Sequence, residues 1–160
     1  MTAAAPAETF IGHVHLKVAD LDRAIGFYRD ILGLTLKLRM GDAAAFLAAG
    51  SYHHHVGLNT WESAGGTPLP PGHAGLCHTA FVYPDRRSLA QAVARAMAAG
   101  IPIDGKADHG VNEAVYLRDP DGNGVELSRD RPEAEWPRRP DGTVVAGNDP
   151  LDLDALLAEA

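Results

Sequence analysis

The chain has 160 residues, enough for one domain or for two small repeated halves that share a core. Its 46% hydrophobic content is that of an ordinary globule, and a formal charge of −7 argues against a nucleic-acid or anionic-membrane surface, both of which need clustered Lys and Arg. The single Cys77 excludes an internal disulfide and any CxxC site, which points to a reducing, cytoplasmic setting. Residues 1–8 have neither a basic segment nor an apolar core, so no signal peptide is expected, and no apolar run approaches the length of a membrane span.

In chain order, residues 1–9 read as a disordered end. His13-Val14-His15-Leu16-Lys17-Val18 alternates polar and apolar side chains, the pattern of a strand with one face buried. Asp20 reads as an N-cap, followed by an amphipathic helix carrying Leu21, Ala24, Ile25, Tyr28 and Leu32 and ended by Gly33. Strand-like segments follow at 34–39, 43–48 and 55–59. Gly-Gly, Pro-Leu-Pro-Pro and Gly mark 62–75 as a linker. The pattern then repeats: a strand at 78–83, Asp85 as N-cap, a helix with Leu89, Val93, Ala96 and Met97 inward that stops at Gly100, and strands at 101–103, 114–117 and 125–128. His13 to Asp20 spans seven residues, as does His78 to Asp85, and the two pairs lie 65 positions apart. The tail, 129–160, is rich in Pro and charge, with Trp136 as its anchor. A short helix is expected after Asn148-Asp149-Pro150, with Leu153, Leu156 and Leu157 free to dock.

A unit that cannot bury its own face implies that the halves pack together. The expected fold is therefore α+β: two tandem βαβββ modules, 10–61 and 76–128, in a single domain forming one curved mixed sheet cup with a metal site. On the first strand the helix-facing side is Val14, Leu16 and Val18, so His13, His15 and Lys17 face the cup. His13 and His78 occupy equivalent positions of the repeat. In the last hairpin, Asp119-Pro120-Asp121-Gly122-Asn123-Gly124 is a turn in which Pro120 fixes φ and Gly122 and Gly124 permit positive φ. Tyr116 then shares a face with Ala114 and Arg118, and Glu126 with Gly124 and Ser128. A carboxylate between Val125 and Leu127 needs a partner. A salt bridge to Arg118 or Arg129 is one reading; ligation of a metal beside His13 and His78 is the favoured one. Two imidazoles and a carboxylate on a concave surface make the facial triad of non-haem Fe(II) sites, and Mn(II) accepts the same ligands.

The two βαβββ units resemble the vicinal oxygen chelate superfamily, which includes glyoxalase, bleomycin resistance proteins and extradiol ring-cleaving dioxygenases. His109, then Val115-Tyr116, Asp119-Pro120, Gly122 and Glu126 at their spacing resemble the extradiol dioxygenase motif. One departure is Lys106, where that motif usually has Gly, with Gly105 one place earlier. The resemblance implies that His13, His78 and Glu126 bind the metal and that His109 and Tyr116 hydrogen-bond substrate and oxygen. It implies an acid–base residue within His53-His54-His55, with His54 favoured over His55. Strict alternation places His53 and His55 with Gly57 on one face and His54 on the other, which a bulge or the strand's start would resolve. The implied activity is a metal-dependent, meta-cleaving dioxygenase acting with O2 on a small aromatic diol, as a cytoplasmic homodimer without nucleic-acid or membrane partners. The alternatives are a glyoxalase-like isomerase or lyase, which would need a fourth ligand near 57–59, and a bleomycin-resistance-like binding protein.

Overall fold

The computed structural model describes residues 4–160, so part of the expected disordered end, 1–9, lies outside the described residues. Eight strands form two four-stranded mixed sheets. The first contains β1 (Val14–Lys17), β2 (Thr35–Met40), β3 (Ala44–Ala48) and β4 (Val56–Asn59) in the order β1-β4-β3-β2. The second contains β5 (Thr79–Val82), β6 (Gly105–Asp108), β7 (Asn112–Arg118) and β8 (Gly124–Asp130) in the order β5-β8-β7-β6. β1 pairs in parallel with β4, and β5 with β8; the other pairs are antiparallel. The modules repeat one topology, as the sequence echo implies.

Each first strand leads into a capped helix. The Asp20 carboxylate accepts from the Arg23 N–H at the start of α1 (Leu21–Gly26), and the Asp85 carboxylate accepts from Ser88 at the start of α2 (Arg86–Ala98). The first helix does not run through as a simple α-helix: Phe27–Ile31 continue it as a π-turn, with Phe27 and Tyr28 buried. In α2 the buried stripe is Leu89, Ala90, Ala92, Val93 and Ala96. Met97, expected inward, is 43% exposed, because it stands at the margin of that stripe in the last turn. The strand expected at 101–103 is also displaced, to Gly105–Asp108. Pro102 has no N–H for a ladder, so Ile101 and Ile103 pack against the core as an extended connection.

One core serves both modules. Leu16, Val18, Leu47 and Leu58 from the first join Leu89, Val93, Val115 and Leu127 from the second. Two tyrosines tie the modules: the Tyr28 hydroxyl donates to Asp119 Oδ2 (2.9 Å), and the Tyr83 hydroxyl donates to the Leu32 carbonyl (2.9 Å). The tail closes over the second module. Asp149 bridges Asp108 beside β6, Trp136 Nε1 donates to the Arg131 carbonyl, and Leu151 and Leu156 are buried. The short helix forms as α3 (Leu153–Leu157), capped by Asp152 a few residues later than expected.

Candidate active site

Strand parity sorts the side chains as the alternation predicts. Val125 and Leu127 of β8, and Val115 and Leu117 of β7, lie in the core. Glu126 and Tyr116 take the opposite, cup-facing side and are register partners across the β7–β8 ladder. Glu126 is 6% exposed. Its Oε2 lies 2.9 Å from His78 Nε2, and its Oε1 accepts from Asn112 Nδ2 at 3.4 Å. Neither arginine weighed as its partner reaches it: Arg118 pairs with Asp104, and Arg129 with Glu113. Gly124, expected for positive φ, serves another purpose. A Cβ there would stand 2.0 Å from the Cys77 carbonyl oxygen, so only glycine lets β8 approach the start of β5 and bring Glu126 to His78. Gly122 is the turn residue with positive φ, 83°.

Beside this pair, His109 Nε2 lies 2.8 Å from the Tyr116 hydroxyl. Burial first, then the Glu126 carboxylate, pushes the Tyr116 phenol above its ordinary range, so it stays protonated and donates. Gly105 stands opposite Tyr116 in the ladder and would meet its ring at 3.6 Å. Lys106 is exposed, so the departure from the motif puts no lysine against the Tyr116 ring.

The first module contributes His13, which with His78 lines a cavity of about 720 Å³ between β1 and β5; Glu126, Tyr116, His109 and His54 are not in its lining. The His13 ring lies 4.4 Å from that of His54, which also meets Phe46 at 5.0 Å. β4 begins only at Val56, so His54 precedes the strand and escapes its alternation. Desolvation first, with His13, His53, His15 and His55 around it, holds the His54 imidazole below its usual range, favouring a neutral base. His55 is engaged elsewhere: it stacks on Tyr52, and its Nδ1 accepts from the Ala49 N–H. His73 is an exposed linker residue.

The register also identifies the first-module counterpart of Glu126. His15 pairs with Gly57 as Ala80 pairs with Glu126, so Gly57 holds that position. The His15 ring covers it, 3.0 Å from where a Cβ would be, flanked by Phe46 and Trp61. No carboxylate stands there.

His78 and Glu126 suit a divalent ion of borderline hardness, and the cup face near Glu126 carries two buried polar atoms without partners, Asn112 Oδ1 and Ser128 Oγ. The donor set therefore fits a metal at this pair. Among the described residues, however, no three His, Cys, Asp or Glu side chains converge closely enough to hold an ion, and the His13 ring packs against that of His54. The calcium-like look of Asp119, Asp121 and Asn123 is structural. Asp119 accepts from Tyr28, from the Asp121 and Asn123 N–H groups and from Asn123 Nδ2.

Paired βαβββ modules in this order define a fold of the vicinal oxygen chelate type. Residues 10–127 match the model of the Glyoxalase/Bleomycin resistance protein/Dioxygenase superfamily, and the chain belongs to that superfamily. A catechol-2,3-dioxygenase of Bacillus subtilis (strain 168) is 38% identical over 154 residues, 96% of this chain and 53% of that protein. A biphenyl-2,3-diol 1,2-dioxygenase 3 of Rhodococcus globerulus is 33% identical over 75% of this chain and 63% of its own length. The chain thus spans between about half and two-thirds of these curated relatives. A probable lactoylglutathione lyase of Synechocystis, 28% identical, is covered over 93% of its length. A glyoxalase/dioxygenase structure from Nostoc punctiforme, 22% identical, shares the fold with a TM-score of 0.67 over 82% of this chain and 99% of that one. Among the described residues no helix is long and apolar enough to cross a membrane.

Proposed function

We propose that this chain is a metal-dependent extradiol dioxygenase that opens a catechol-like ring beside its two hydroxyls. The observation that carries the reading is the juxtaposition, on the cup side of β5, β8 and β7, of the His78–Glu126 pair with the His109–Tyr116 pair. His13, His78 and Glu126 would hold the ion; bound Fe(II), or Mn(II), supplies Lewis acidity toward vicinal oxygens and redox chemistry toward O2. Both atoms of O2 enter the product as one ring C–C bond breaks, so no outside reductant is consumed.

The protein's own groups bind and move protons. His54, neutral at working pH, accepts a proton from a substrate hydroxyl at Nε2 or Nδ1 and returns it as the ring opens. Tyr116 Oη, its own proton given to His109 Nε2, accepts a hydrogen bond from a substrate hydroxyl, and His109 holds it in place before the reaction begins. His15, Phe46 and Trp61 bound the aromatic ring from the first module. The absence of a carboxylate at Gly57 supports three ligands over the four a glyoxalase-like lyase would need. The near-complete coverage of the Synechocystis lyase keeps that reading as the rival. The single cysteine supports a cytoplasmic setting, and a homodimer would bring together about the length of the catechol-2,3-dioxygenase relative, of which this chain spans 53%.

The test is oxygen uptake by Fe(II)-loaded protein across a panel of catechols, with hemithioacetal isomerisation measured in parallel. Ring-opened, yellow product with matching O2 consumption is expected; isomerisation without O2 uptake would assign the chain to the lyases.

A further inference from the structure

We propose that the C-terminal tail is part of the site: the Gly147 carbonyl fixes the proton of His109 on Nδ1, leaving Nε2 to accept the Tyr116 hydrogen bond. The two residues are joined twice. The Gly147 N–H donates to the His109 carbonyl (2.9 Å), and His109 Nδ1 lies 2.8 Å from the Gly147 carbonyl oxygen. A carbonyl oxygen only accepts, so Nδ1 must carry the proton. Neutral imidazole has one such proton, and Nε2 then presents its lone pair to the Tyr116 hydroxyl at 2.8 Å. With the proton on Nε2 instead, two lone pairs would face each other across the Gly147 contact, and the Tyr116 hydroxyl would turn from donor to acceptor.

The tail is held in register on both sides of Gly147. Before it, the Val145 N–H donates to the Pro137 carbonyl (2.8 Å). After it, Asp149 and Asp108 exchange backbone hydrogen bonds, each 2.9 Å, beside β6. Asp108 is itself fixed by the Gly110 N–H and by Arg131. Beyond that, Leu151 and Leu156 anchor the chain in the core. The tail is therefore held by an isolated bridge at the end of β6, and its Gly147 carbonyl orients the His109 imidazole. Gly147 is a positioning residue; it acts through His109. Its consequence for turnover rests on the dioxygenase reading, whereas the tautomer itself does not.

The experiment is 15N NMR of the imidazoles in the metal-free chain, with His109 assigned by loss of its signals in His109→Gln. The wild type should show His109 protonated at Nδ1. Tyr116→Phe should leave it so, because the tail and not the phenol sets it. Gly147→Ala, which has room for its Cβ, should also leave it so. Gly147→Pro, lacking the N–H, should shift the proton toward Nε2, and in the loaded enzyme should lower kcat about tenfold to a hundredfold with KM within about twofold. Protonation at Nε2 in the wild type or in Tyr116→Phe would overturn the proposal, as would an unchanged tautomer in folded Gly147→Pro. If Gly147→Pro fails to fold, the wild type and Tyr116→Phe decide. A wild type without oxygen uptake bears on the dioxygenase reading alone.

Discussion

At the scale of single residues, the site depends on close approach as much as on its charged groups. Gly124 allows the backbone contact that seats Glu126 against His78. Alanine there meets a backbone carbonyl that cannot step aside, so Gly124→Ala is expected to cost about 1–3 kcal/mol in denaturant unfolding. It should also weaken metal binding; wild-type stability with unchanged metal affinity would contradict the account. Tyr116→Phe removes the fixed hydroxyl between His109 and the substrate and should lower kcat for ring opening about a hundredfold while metal affinity holds, as read by oxygen uptake. That Glu126 and Tyr116 share a face was legible in the sequence because strand parity and a turn of set length decide it, and His78 was singled out by the repeat, whereas His109 was singled out only by the motif it resembles. The need for glycine at 124 was not, since it arises from a backbone segment distant in the chain. The His53-His54-His55 ambiguity depended on where β4 begins, and alternation says nothing of a residue just outside a strand.

At the scale of elements, the two helices and their caps were readable from Asp20, Asp85 and the apolar spacing, while the ties between modules were not. Tyr28 looked like one more apolar residue of an amphipathic helix. Its hydroxyl in fact reaches Asp119 in the other module's turn, and burial first, then Asp119, raises its phenol well above the ordinary range. Tyr28→Phe removes that bond from a buried carboxylate and should destabilise the protein by about 1–3 kcal/mol in urea titration. A neutral result would mean that the modules are held by apolar packing alone. The misplaced sixth strand has a local cause: Ile101 and Ile103 have the better strand pattern, but Pro102 cannot join a ladder. Gly105–Asp108 has little strand propensity of its own and is set by pairing with β7.

At the scale of the whole molecule, an acidic chain is organised around carboxylates engaged with backbone N–H groups and arginines. Burial works against the Asp108 carboxylate, but the Gly110 N–H and Arg131 outweigh it and hold its pKa below the usual range. Asp85, capped by Ser88, is lowered in the same way. A folded pKa below the unfolded value of about 3.9 means that the unfolded chain takes up the proton first. The stabilisation is present above that value and is lost as pH falls through the folded pKa. Asp108→Asn should therefore flatten the fall in Tm below about pH 4, and a pH dependence identical to the wild type would contradict the assignment. The repeat made the two-module cup legible from the sequence; the tail's return to β6 had no periodic signal, because it forms one bridge rather than a strand.

On the proposed dioxygenase reading, one ion would be held jointly by both modules, through His13 on one side and His78 with Glu126 on the other. Anaerobic calorimetric titration of the full chain with Fe(II) tests it directly. The account predicts one ion per chain, with His13→Ala, His78→Ala and Glu126→Gln each weakening binding beyond the roughly 10–100-fold cost of losing an outer partner. Wild-type affinity in His13→Ala, or no binding by the wild type, would contradict it.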